Sequence, residues 1–263
     1  MHPMSVGDIL DGVFKLLRAN FRALALPLVL AALPFEALVA YATRNSVSLS
    51  TMFAQFGNQQ NPPPAPSGAD LTMELMGVAG LFVIAPLVAG IVSKTVAASY
   101  AGEELGGATA ARLSARHFLA LLVASLLGHL MELGGLCLCL LPFFGVAALL
   151  FVAAPAIVLE DLGPIAGMRR SWRLVWHRFW PVLGTLVLGA LISQVTVSII
   201  GLLPNLLAQA ASPHVRAVID AIVTTCTQAL QWALLSILAT LLYFDQRIRQ
   251  EGLDLEVMAA RLR

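Results

Sequence analysis

The chain has 263 residues, of which 59% are hydrophobic and 12% charged, and its mean hydropathy is +0.84. A soluble domain carries about 25% charged residues, so this composition excludes a water-soluble globule of the same size. The net charge of +1 excludes the strong basic excess of a nucleic-acid binder.

Residues Ser5 to Phe21 place Val6, Ile9, Leu10, Val13, Phe14, Leu17 and Phe21 at helical spacing, with Asp8, Asp11, Lys15, Arg18 and Arg22 on the other face. That pattern predicts an amphipathic helix lying in a membrane interface. Ser5 and Asp8 supply its start signal. A first span follows over 21–42, with Pro27 and Pro34 expected to kink it. The segment 43–70 contains Asn61-Pro62-Pro63-Pro64 and little that could build a core, which predicts a flexible Pro-rich loop.

A second span is expected over 71–98. Spans three and four, over 117–133 and 136–159, are joined by a turn at Gly134-Gly135. A short interfacial helix over 164–177 then leads into span five, 179–203. Span six covers 215–244, and 245–263 reads as a charged C-terminal cytoplasmic tail. A span needs about 20 mostly apolar residues; the chain offers six such stretches, and 71–98, longer than needed, is expected to tilt or extend beyond the bilayer. The three cysteines, Cys137, Cys139 and Cys226, lie in apolar stretches without ligand spacing and read as small buried hydrophobes. No metal site or cofactor is expected.

Three segments share one plan: a glycine, then basic residues, an aromatic residue, and a span. Val6-Gly7 leads to Phe21, Leu105-Gly106 to Phe118, and Leu162-Gly163 to Phe179. The returning spans exit at Glu103-Glu104, Glu160-Asp161 and Asp245. The expected fold is therefore an all-α polytopic membrane protein. It forms one helical membrane domain over 1–263, with six transmembrane helices as three hairpins. An amphipathic or interfacial segment precedes each hairpin. Of the 16 lysines and arginines, all but Arg44 and Arg216 fall on the side that carries the N-terminus. Cytoplasmic loops carry such an excess, so both termini are expected in the cytoplasm and the chain in a cytoplasmic (inner) membrane.

Two groups of residues are candidates for chemistry. Arg169, Arg170, Arg173 and Arg178, with Trp172 and Trp176, form the densest basic and aromatic cluster. Arginine pairs with phosphate, and each basic residue near an anionic leaflet contributes about 1 kcal/mol. The cluster is thus a candidate contact for anionic lipid headgroups or a membrane protein partner. Glu36, His129 and Glu132 lie within spans, where a carboxylate is costly unless paired, and form a candidate intramembrane polar site. Stripes of small residues, Ala85/Ala89/Ser93/Ala97, Ala120/Ala124/Gly128 and Thr185/Gly189/Ser193, read as helix-packing seams. No nucleophile, phosphate-loop or dinucleotide motif is present.

Three stretches, SVGDILDGVFKLLRANF, LGPIAGMRRSWRLVWHRFW and LLYFDQRIRQEGLDLE, resemble the bacterial membrane proteins grouped with the glycerophosphodiester phosphodiesterase membrane domain. The resemblance implies a multi-helix integral membrane protein. Some members of that group carry a catalytic barrel of about 250 residues, for which this chain has no room, so no activity is carried over. The expected role is a non-catalytic scaffold or accessory subunit. The alternatives are a transporter or channel for a small or lipid-like solute and, with less support, an intramembrane enzyme.

Overall fold

The computed structural model describes residues 4–43, 68–138, 140–210 and 212–252. Among them there are ten helices and no strand. In chain order these are α1 (Val6–Ala19), α2 (Phe21–Thr43), α3 (Gly68–Ala101), α4 (Gly107–Ala115) and α5 (Phe118–Leu138). They continue with α6 (Leu140–Leu150), α7 (Ala153–Glu160), α8 (Pro164–Trp176), α9 (Phe179–Ala208) and α10 (Pro213–Glu251). Most of the Pro-rich segment, Cys139 and the last eleven residues lie outside the described residues.

Five helices are long and apolar enough to cross a membrane, and a sixth crossing is counted if the bent pair α1–α2 is taken as one span. The exposure pattern of α9 supports a lipid surrounding. Thr185, Gly189, Ser193 and Val197 recur at every fourth position and are buried, whereas Leu188, Leu191, Val195 and Ile199 are exposed. In water this arrangement would put the large apolar side chains on the wrong face. In lipid, small residues belong between helices, where they let backbones approach.

The expected packing seams fall at such contacts. Ser93 is fully buried, and its Oγ lies 3.2 Å from Thr240 Oγ1 across α3 and α10. Gly189 sits directly against the Leu238 side chain. The longest helix, α10, is the spine of the bundle. It packs on α9, α2, α3 and α1, and it buries Leu234, Ile237, Leu238, Leu241, Leu242 and Tyr243.

The start of α1 follows from its sequence. Ser5 Oγ accepts from the Asp8 N–H at 3.2 Å, and the Asp8 carboxylate accepts from the Ser5 N–H at 2.9 Å. Two orphan groups are satisfied reciprocally, as in a capping box. Ile9 and Val13 are buried on α10's side, while Asp11 and Lys15 pair on the exposed face at 2.5 Å. The sharp turn in this region is not at a proline. Helix α2 continues through Pro27 and Pro34, and the 84° bend falls between α1 and α2. Asn20 holds that corner by donating from Nδ2 to the Leu16 carbonyl at 3.0 Å and to Ser99 Oγ at 3.3 Å.

The expected turn at Gly134-Gly135 is not there. Helix α5 runs through both glycines to Leu138. A Cβ on Gly135 would stand 2.9 Å from the Phe143 nitrogen, so this glycine permits the close approach of α6 rather than a reversal of the chain. The fourth apolar stretch is also interrupted. A turn at Phe151-Val152 separates α6 from α7. Pro155, four residues beyond Phe151, has no N–H to offer the Phe151 carbonyl. Ser171 Oγ donates to the neighbouring Leu149 carbonyl at 2.7 Å, in a buried position.

Candidate functional site

The segment expected as a charged tail begins as the last two turns of α10, which extends to Glu251. Tyr243, Arg247 and Glu251 follow one another at i, i+4 and i+8, on one face of the helix. They meet Glu160, the last residue of α7, and Arg170, in the middle of α8. Arg170 Nε donates to both oxygens of Glu160 at 2.9 Å. Its Nη2 donates to Glu251 Oε2 at 2.6 Å, and its Nη1 pairs with Glu251 Oε1. The guanidinium is thus forked between two carboxylates, the geometry in which arginine binds most strongly.

The Tyr243 hydroxyl donates to Glu160 Oε1 at 2.7 Å, and Arg247 Nε donates to Glu251 Oε2 at 3.0 Å. Two carboxylates and two guanidiniums balance. The Arg170 side chain is only 15% exposed. The Glu251 hydrogen bond, supported by Glu160, outweighs burial and holds Arg170 more firmly protonated than an ordinary arginine.

A second ion pair lies one turn away. Asp245, 4% exposed, accepts from Arg249 Nε at 2.9 Å and from the Met4 N–H at 2.9 Å. Arg249 Nη2 donates to the Met4 carbonyl at 2.7 Å. Gln250 Nε2 reaches the Leu174 carbonyl of α8 at 2.5 Å. At the α4–α5 corner, His117 Nε2 lies 2.5 Å from Asp161 Oδ1. That hydrogen bond, with the charge of His117 adding to it, holds the Asp161 carboxyl below its ordinary range. Asp161 takes a left-handed conformation, φ 58°, to close α7. The start of α1, the α4–α5 corner, the end of α7, helix α8 and the end of α10 are therefore tied into one polar layer.

Of the predicted basic cluster, Arg170 turns inward to this layer and the others do not join it. Arg169, Arg173 and Trp172 line an open groove of about 860 Å³, with Glu160 and Arg170 on its wall. Among the described residues, neither Arg169 nor Arg173 has an acidic partner within ion-pair distance. Trp172 and Trp176 stack at 5.9 Å between ring centroids, and Trp176 is 59% exposed. Arg178 stands at the start of α9 and makes no side-chain cap there. The tail residues Asp245, Arg247, Arg249 and Glu251 were not among the expected site residues, although their i, i+4 spacing marked them.

The other candidate site comes together in part. His129 Nδ1 lies 2.8 Å from Glu132 Oε2, and the His129 ring meets Phe82 edge-on at 4.9 Å. Glu36 belongs to α2, and its side chain lies outside the described residues. The histidine and carboxylate line one end of a half-open cavity of about 430 Å³ bordered by α3 and α5 to α10. Among the described residues, no group of three metal-ligating side chains converges there or elsewhere.

An all-helical bundle with five or six crossing helices, closed at one end by a layer of ion pairs, defines a multi-pass membrane protein. Residues 78–245 match a family described as a domain of unknown function, DUF7847, and the chain belongs to that family. No curated protein and no solved structure matches the chain.

Proposed function

We propose that this chain is a non-catalytic scaffold or accessory protein of a cytoplasmic membrane, and that it engages anionic lipid headgroups through α8. One observation carries the reading: the groove beside Arg169 and Arg173 presents two arginines that have no acidic partner among the described residues, next to the exposed, stacked Trp172–Trp176 pair. Arginines recognise phosphate, and tryptophans seat at headgroup level. Arg170, saturated by Glu160 and Glu251, holds α8 in place rather than binding ligand. In this reading the polar layer is the cytoplasmic face. Helices α1, α4 and α8 lie along it, and three hairpins cross the bilayer six times.

A channel for hydrated ions has less support. The cavity at His129 and Glu132 is apolar over most of its wall, and such a lining does not replace a hydration shell.

The test is lipid retention. The full chain is extracted from membranes and its bound lipids are measured by native mass spectrometry, beside binding to vesicles with and without phosphatidylglycerol. The double substitution Arg169→Gln/Arg173→Gln is expected to lower anionic-lipid retention by about thirtyfold, two charges at about 1 kcal/mol each. Equal retention by wild type and variant would refute the reading.

A further inference from the structure

The half-open cavity bordered by α3 and α5 to α10 is a second candidate site. Its space exists because residues from several helices are small: Ala85 and Ala89 of α3, Ala124 and Gly128 of α5, and Ala147 of α6. Its volume of about 430 Å³ lies in the range of about 300–1,000 Å³ typical of small-molecule sites. Two further features mark it as a built site. The first is the break between α6 and α7. Phe151, in that break, and Ala153, just beyond it, line the cavity. Irregular backbone at membrane depth is tolerated where it lines a cavity or is buried in protein, and interrupted spans are a recurrent way to build an intramembrane binding site.

The second feature is the His129–Glu132 pair. From Phe118, where α5 leaves the polar layer, Glu132 is about 21 Å along the helix at 1.5 Å per residue. It therefore lies in the half of the bilayer away from that layer. Only Oε2 of Glu132 is engaged by His129. Among the described residues, Oε1 makes no hydrogen bond and is available as an acceptor.

We propose that this cavity binds a single-chain amphiphile whose headgroup donates hydrogen bonds, an amine or a hydroxyl. The headgroup sits at Glu132 and His129. The chain runs inward along the small residues toward Ile157, about 16 Å from Glu132 to Leu121 at the helical rise. This is the orientation of a lipid in the leaflet opposite the polar layer. His129, half exposed beside the lipid-facing Leu126 and Leu130, stands at the mouth. The site stands independently of the groove on α8.

Trp232 lines the cavity, and this supplies the assay. The full chain is placed in nanodiscs of phosphatidylcholine. Brominated stearylamine, brominated stearic acid and a brominated alkane of equal length are titrated. Quenching of Trp232 is taken as the difference between the wild type and Trp232→Phe. The amine is expected to quench saturably, with an affinity about tenfold above the acid and the alkane, the value of one charge-assisted hydrogen bond. Glu132→Gln is expected to remove that advantage while leaving the alkane response unchanged. Ala147→Phe fills the cavity and is expected to abolish saturation. Ser125→Phe does the same from α5 and serves if Ala147→Phe does not fold. Non-saturable quenching that is equal for the three probes would overturn the proposal. So would saturable quenching by the amine that survives both Glu132→Gln and cavity filling.

Discussion

Replacing Arg170 by methionine removes the charge that two carboxylates share. An exposed ion pair contributes about 0–1 kcal/mol, and breaking a buried one costs about 3–5 kcal/mol. Arg170 lies between these limits, with its side chain 15% exposed and those of Glu160 and Glu251 at 20% and 29%. The substitution leaves both carboxylates facing an empty space, with Tyr243 and Arg247 as their remaining partners. The expected destabilisation is about 2–3 kcal/mol, the value of hydrogen bonds to charged groups. The assay is reversible unfolding in mixed micelles, with Arg169→Met as the control. Arg169 is exposed, so that change is expected to stay within about 0.5 kcal/mol. If the cost comes from uncompensated charge, adding Glu160→Gln and Glu251→Gln to Arg170→Met recovers most of the loss. A loss below about 0.5 kcal/mol for Arg170→Met, or a triple variant no more stable than the single one, would refute the reasoning.

Adjacent glycines in α5 separate space from flexibility. Gly135→Ala meets the backbone of Pro142 and Phe143 at about 3 Å, and the resulting overpacking is expected to cost about 1–3 kcal/mol in the same unfolding assay. Gly134→Ala meets nothing within 4 Å and is expected to stabilise by up to about 1 kcal/mol through helix propensity. Acid provides an independent check on the α4–α5 corner. The Asp161 carboxyl is held below its ordinary value of 3.8 by His117, so the folded state binds this proton less readily than the unfolded one. The contact's contribution is full above pH 3.8 and is lost as pH falls through the lower, folded value. Asp161→Asn is expected to flatten that part of the acid-unfolding curve, and an unchanged curve would contradict the pairing.

Much of the bundle was legible in sequence, because apolar length and the placement of charge are local properties. Both the five or six crossings and the small-residue seams at Ser93 and Gly189 follow from them. The polar layer was less legible. Arg170 is ten residues from Glu160 and 81 from Glu251, so no local window contains the contact. Taken alone, Arg169 and Arg170 look equivalent, and only the fold separates the one that faces the groove from the one that holds α8. The end of α10 did carry a local signal. Tyr243, Arg247 and Glu251 share one face, and Asp245 and Arg249 pair four apart. A charged stretch after an apolar run was nonetheless read as a tail, because hydropathy ends at the membrane while the helix does not. The glycine pair misled for a related reason. Glycine marks a turn when the chain must reverse, and close approach when another backbone needs the space. Gly135 serves the second purpose.

In the proposed arrangement the polar layer lies on one side of a membrane and α9 crosses to the other. Single cysteines at Arg173→Cys and Ala210→Cys, in a background without Cys137, Cys139 and Cys226, test it directly. A membrane-impermeant maleimide is applied to sealed vesicles of each orientation. Position 173 is expected to be labelled only from the cytoplasmic side and position 210 only from the opposite side. Labelling of both positions from the same side would contradict it.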